Sequence, residues 1–142
     1  MIHIINIENK VFNDAAELLR DRHTGIYVYG EYIDTPAKFP CVTIVEADNR
    51  VLQSRRTAER LETAASLMYE ANIYSNKTSG KAAEAKAIME TVDDYFSSLG
   101  FTRIYRNQIP NLNNATIYRI VARYEGVAIP NDDGKIYIYT GD

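Results

Sequence analysis

Ala65-Ser66-Leu67-Met68-Tyr69-Glu70-Ala71-Asn72-Ile73-Tyr74 is the stretch on which the fold turns. Every second residue (Ala65, Leu67, Tyr69, Ala71, Ile73) is apolar or small, and Ser66, Met68, Glu70, Asn72 and Tyr74 between them form a more polar set. A period of two sends alternate side chains to opposite faces of an extended chain, so this pattern predicts one long strand with one buried face. Residues 75–80 are turn-forming, and from 81 to 99 the period becomes helical. There Ala85, Ile88, Val92, Tyr95, Phe96 and Leu99 make an apolar stripe, while Lys86, Glu90 and Asp93 face water. Gly100 stands where a left-handed residue stops a helix, and residues 101–109 read as a strand closed by Pro110. Strand, helix and strand in this order predict a right-handed crossover joining parallel strands.

Working outward, residues 8–21 carry Val11, Ala15, Leu18 and Leu19 at helical spacing, ended by Thr24-Gly25. A short aromatic strand, Ile26-Tyr27-Val28-Tyr29, leads through Gly30 and a loop with Pro36 and Pro40 to the β-branched strand Cys41-Val42-Thr43-Ile44-Val45. Residues 48–62 are dense in charge and read as a projecting loop or hairpin tip. Beyond the polar loop 111–114, residues 116–127 form a long strand, Asp132-Asp133-Gly134 a turn, and Ile136-Tyr137-Ile138-Tyr139 a terminal strand. The order α-β-β-β-α-β-β-β, without internal repeat or linker, predicts a single α/β (α+β) domain over 1–142. Hairpins supply the other pairings, and the product is a mixed sheet of five to six strands with two helices packed against it.

Composition narrows the classes. A chain of 142 residues, 46% apolar and 25% charged, buries enough core to fold without disulfide or structural metal. Nineteen acidic residues against sixteen basic ones weigh against a protein whose main task is gripping phosphates. Cys41 is the only cysteine, which excludes an intrachain disulfide and suits a reducing cytosol. The start, Met1-Ile2-His3-Ile4-Ile5-Asn6, lacks the basic and apolar regions of a signal peptide, and no stretch approaches the ~20 apolar residues that span a bilayer.

Each candidate for chemistry has a plainer reading. Ser75-Asn76-Lys77-Thr78-Ser79-Gly80-Lys81-Ala82 lies between strand and helix, where a phosphate-binding loop belongs. A glycine at 75 and a hydroxyl at 82 are required, and the chain has Ser75 and Ala82; Thr78 or Ser79 as a helix N-cap explains the same letters. His3 and His23 lie far apart with no carboxylate at zinc-site spacing. Cys41 reads as a small core residue. Asp93-Asp94 diverge by about 100° on a helix and read as a solvated face. Asp132-Asp133-Gly134 is a turn before it is a calcium site. No catalytic, cofactor-binding or metal-binding constellation remains.

Two features ask for more. Most of the eleven tyrosines fall on predicted strands, among them Tyr27, Tyr29, Tyr69, Tyr105, Tyr118, Tyr124, Tyr137 and Tyr139. Half-buried strand faces accept tyrosine readily, and so do subunit interfaces. The segment holding Arg50, Arg55, Arg56 and Arg60 is long for a loop. It reads as a solvated loop with local ion pairs, as a source of inter-subunit salt bridges, or as a loop projecting into a lumen through which DNA passes; the interspersed glutamates favour salt bridges over the lumen. Arg50, Arg55, Arg56, Arg60, Tyr137 and Tyr139 are therefore the candidate interface residues, and the exposed edge 136–139 is a candidate for pairing with a neighbour's sheet.

Several phrases, spread over about 28–127, together resemble the small tail terminator (tail completion) proteins of long-tailed siphophages and of prophages of Gram-positive bacteria. They are Tyr29-Gly30-Glu31-Tyr32, Phe39-Pro40-Cys41-Val42-Thr43-Ile44-Val45-Glu46, Tyr69-Glu70-Ala71-Asn72-Ile73-Tyr74-Ser75-Asn76, Gly80-Lys81-Ala82-Ala83-Glu84-Ala85-Lys86-Ala87-Ile88-Met89, Leu99-Gly100-Phe101-Thr102-Arg103 and Pro110-Asn111-Leu112-Asn113-Asn114-Ala115-Thr116-Ile117-Tyr118-Arg119. The resemblance implies a mixed sheet flanked by helices and a structural virion protein at the head–tail junction, assembled in the host cytoplasm. It further implies a homo-oligomeric ring, a hexamer, that caps the tail tube, halts its growth and offers a surface to the head connector or head-closure protein. DNA would pass the lumen without specific binding, and neither cofactor, catalysis nor membrane is implied. The alternatives are another neck or head-completion protein of the same particle, or a small nucleotide- or nucleic-acid-binding phage protein.

Overall fold

The computed structural model describes residues 6–52, 64–110, 114–130 and 136–139. Its elements run α1 (Glu8–Arg22), β1 (Tyr27–Tyr29), β2 (Cys41–Val51), β3 (Ala65–Ser75), α2 (Lys81–Ser98), β4 (Thr102–Gln108), β5 (Tyr118–Pro130) and β6 (Ile136–Tyr139), the order expected from the sequence. The strands form one mixed sheet in the order β1-β2-β3-β5-β4, with β6 paired to β5. An α+β fold of two helices on a mixed sheet is thus what the chain adopts.

The alternation in β3 decides which face is covered. Ala65, Leu67, Tyr69, Ala71 and Ile73 join Val42 and Ile44 of β2 and Ile120, Ala122, Tyr124 and Ala128 of β5 in one apolar cluster beneath the helices. Into it α1 inserts Val11, Ala15, Ala16 and Leu19, and α2 inserts Ala85, Ile88, Met89, Val92, Tyr95 and Phe96. Phe96 is central: its ring stacks on Tyr124 at 4.5 Å and meets Tyr69 and Phe101 at 5.6 and 5.5 Å. Such ring pairs contribute about 0.5–1.5 kcal/mol beyond their buried area.

Helix α2 ends as its glycine requires. Gly100 has φ +91°, its N–H donates to Ser97 O, and the Phe101 N–H donates to Phe96 O. This Schellman turn satisfies orphan carbonyls and delivers Phe101 onto the core. The start of α2 differs from expectation. Neither Thr78 nor Ser79 caps it; Gly80, left-handed at φ +87°, holds the N-cap position without a side-chain hydrogen bond. A left-handed residue is sterically cheap only for glycine, so the tight exit from β3 determined the cap.

Three further expectations are corrected. β1 and β2 pair in parallel, not as a hairpin, with loop 30–40 carrying the chain back between them. Its Ile33 and Phe39 pack on Cys41, Tyr74 and Ile117, a second small cluster on the sheet face opposite the helices. Residues 48–51 belong to β2 and not to a projecting loop, because the ladder with β3 continues past a bulge at Glu46/Asp48 to Val51. And the polar face of β3 is largely enclosed, with Asn72 1% and Glu70 8% exposed.

The β3–α2–β4 crossover does join parallel strands, but with β5 laid between them and antiparallel to both. No residue spacing in the crossover announces that insertion.

Candidate assembly interface

The turn that imitates a phosphate loop is occupied by its own side chains. Ser75 Oγ donates a 2.6 Å hydrogen bond to Glu84 Oε1 on the first turn of α2 and accepts one from the Lys77 N–H. Lys81 Nζ, the counterpart of a phosphate-binding lysine, donates to the Ala115 carbonyl at 3.1 Å. A carboxylate therefore stands beside this helix N-terminus, where a phosphate would need room and positive potential.

The remaining candidates separate in space. His23 Nε2 lies 2.8 Å from Thr91 Oγ1, joining the end of α1 to α2. Burial, then the adjacent Arg22, lowers its pKa, which favours the neutral ring. The Cys41 thiol is fully buried, and desolvation pushes its pKa up to about 11, away from nucleophilic reactivity. Asp93 accepts from Arg103 and from the Tyr124 hydroxyl, while Asp94 accepts from Arg22, so the two carboxylates serve different neighbours. Asp93 is half-buried in this arrangement instead of facing water. Among the described residues no group of three or more His, Cys, Asp or Glu side chains is placed to hold a metal ion. His3 and Asp132-Asp133-Gly134 lie outside the described residues.

The tyrosines divide between the two readings. Tyr69 and Tyr124 are core residues whose hydroxyls reach carboxylates, Glu46 of β2 at 3.0 Å and Asp93 of α2 at 3.2 Å. Tyr29 and Tyr32 are exposed, 40% and 59%. Tyr137 and Tyr139 occupy β6, while of the arginines Arg50 lies on β2, paired with Asp48 at 3.0 Å, and Arg55, Arg56 and Arg60 lie outside the described residues.

On the face away from the helices the structure assembles a polar lattice not foreseen from the sequence. Arg119 donates through Nε and Nη2 to Asn72 Oδ1, Asn72 Nδ2 donates to Glu70 Oε2, and Arg123 Nε donates to Glu70 Oε1. The guanidinium groups also lie over Tyr74 and Tyr105, at 5.5 and 5.4 Å from the ring centroids. The signal was present as Arg119-Ile120-Val121-Ala122-Arg123, where positions 119 and 123 share a face at strand spacing. The buried members, Asn72 and Glu70, cost little only while they stay satisfied by the more exposed arginines.

The sheet's edges complete the geometry. β1 covers β2 only at residues 41–43, so among the described residues β2 has no strand on that side from 44 to 51. On the far side β4 covers residues 120–125 of β5, and β6 covers 127–130. Among the described residues no strand pairs with the outer side of β6.

No helix among the described residues is long and apolar enough to cross a membrane. Comparison of the chain with family models and with curated proteins returns no match.

Proposed function

We propose that this protein is a tail terminator of a long-tailed phage: a structural virion protein that caps the tail tube as a homo-oligomeric ring, stops tube growth and presents a surface to the head connector. The observation that supports it best is that three of the six phrases resembling that family fall on β2, β3 and α2, two adjoining strands of the sheet and the helix that covers them. A ring closes only through heterologous contacts, in which two different patches of each subunit meet. Strand segments that no described strand pairs, on opposite sides of one sheet, are two such patches. The phosphate-loop alternative loses ground to the Ser75–Glu84 and Lys81–Ala115 hydrogen bonds, which engage the groups a nucleotide would need.

In this role the work is mechanical. A tube subunit adds to the growing end by docking on the last ring; a cap that matches the ring on one face and not on the other removes the growing end. The second reading is another neck component of the same particle, which would join heads to tails without governing tail length. Electron microscopy of particles made with the gene disrupted in its parent phage separates the two. Overlong tails detached from filled heads are the expected result. Detached tails of normal length would move the protein elsewhere in the neck, and intact virions would overturn the structural role.

A further inference from the structure

We propose that the ring closes through its backbone: strand Ile136–Tyr139 of one copy pairs antiparallel with residues 48–51 of β2 in the next, making one sheet of neighbouring copies. The inference rests on the ring reading above and names its subunit contact.

The two open edges lie at the same level. Arg50 is in register with Ser66, Ser66 with Val127, and Val127 with Tyr139; Val51, Ala65, Ala128 and Ile138 make the next row. Among the described residues the three strands β2, β3 and β5 thus form an arm open at β2 on one side and at β6 on the other. Below it the same strands are closed, by β1 along 41–43 and by β4 along 120–125. Copies related by rotation about an axis along the strands keep their level, so the β6 edge of one arrives beside the β2 edge of the next.

Strand sense agrees. β2 is antiparallel to β3, β3 to β5, and β5 to β6, so β6 runs antiparallel to β2. Rotation about that axis preserves direction, and the new ladder is antiparallel, the commoner pairing.

The edges are also protected unequally. β4 carries a bulge between Arg103 and Tyr105 and exposed Arg103 and Arg106, devices that discourage edge pairing. β6, Ile-Tyr-Ile-Tyr, has no charge, no proline and no register shift. Left open, it would offer a row of unpaired backbone groups to any strand. On β2 the bulge at Glu46/Asp48 leaves residues 48–51 regular; at equal level Arg50 and Val51 face Tyr139 and Ile138, and a slide of two residues along the strands sets all of 48–51 against 136–139. The charges there are mutually cancelled in the Arg50–Asp48 pair, so an uncharged strand can dock without burying a lone ion.

Cysteine pairs test the contact. Facing Cβ atoms of adjacent antiparallel strands are about 4.5–5.5 Å apart, near disulfide reach. With no offset residue 50 meets residue 139; a two-residue offset brings it to 137. The double variants Arg50→Cys/Tyr139→Cys and Arg50→Cys/Tyr137→Cys are oxidised in the purified protein and in purified tails. One pair is expected to give a covalent ladder from dimer to closed ring on non-reducing gels. Each single variant, and Glu90→Cys/Tyr139→Cys with its cysteine on the exposed face of α2, should give none. Thermal melts near that of the parent protein certify the fold. Lack of a ladder from both pairs overturns the contact, whether the protein is then found as a ring or as a monomer. Tail length remains a separate readout: variants that cap tails normally without cross-linking would defeat this contact and leave the terminator reading standing.

Discussion

The ring of Phe101 occupies the space where a side chain on Gly126 would have to be: a Cβ placed on Gly126 comes within 2.9–3.0 Å of three ring carbons. The approach is fixed from both sides. Phe101 is delivered by the Schellman turn at the end of α2 and held edge-on to Tyr69 and Phe96, and Gly126 is held in register with Leu67 in the β3–β5 ladder. Gly126→Ala should therefore lower stability by about 1–3 kcal/mol, the usual cost of overpacking a filled core. Chemical or thermal unfolding measures it, and adding Phe101→Leu should recover part of the loss. An alanine variant as stable as the parent would show that the ring moves freely.

A pH dependence follows from Glu46. Burial, only partly offset by hydrogen bonds from Tyr69 and Asn49, raises its pKa above the ordinary glutamate value. A raised folded-state pKa means that the folded protein holds the proton more tightly than the unfolded chain. Glu46 thus contributes stability at pH below its unfolded value, roughly 4.3, and that contribution is lost as pH rises through the folded value. Glu46→Gln, which keeps the hydrogen bond from the Tyr69 hydroxyl without the charge, should flatten this component of the stability–pH curve. Unfolding midpoints measured from pH 4 upward, in steps of about half a unit, give the comparison; identical slopes for the two proteins would refute the assignment.

Nucleotide binding is the sharpest test of the turn at residues 75–82. With Ser75 committed to Glu84 and Lys81 to the Ala115 carbonyl, ATP with Mg²⁺ should leave the melting temperature unchanged. A ligand present at about a hundred times its dissociation constant would add about 2.7 kcal/mol of stability, a shift of several degrees. Such a shift, abolished by Lys81→Ala, would restore the nucleotide reading.

Charge placed on the terminal strand should impair assembly and spare the fold. Tyr137→Asp puts a carboxylate on β6 and is expected to give monomer where the parent forms rings, with its melting temperature close to the parent's. Arg56→Glu asks the same of the arginine-rich segment. Analytical ultracentrifugation and the capping of tails are the readouts. Parent-like assembly by both variants would remove these residues from the interface.

The sequence by itself determined the elements and their order. The alternation at residues 65–74, the helical stripe from Ala85 to Leu99 and the stop at Gly100 are local patterns, and local geometry answers to them directly. Tertiary structure decided what lies beside what. That β5 enters between β3 and β4, that β1 pairs in parallel, and that Glu70 and Asn72 are bonded by Arg123 and Arg119 depend on residues distant in the chain, 53 and 47 positions apart in the last case. The same holds for the candidate surfaces. The sequence singled out Arg50, Tyr137 and Tyr139 one by one; only the β2–β3–β5–β6 register places residues 50 and 139 at one level on opposite sides of a sheet. The physical reason is that side-chain period is a property of one strand, whereas pairing partners are selected by the burial and hydrogen bonding of the whole sheet.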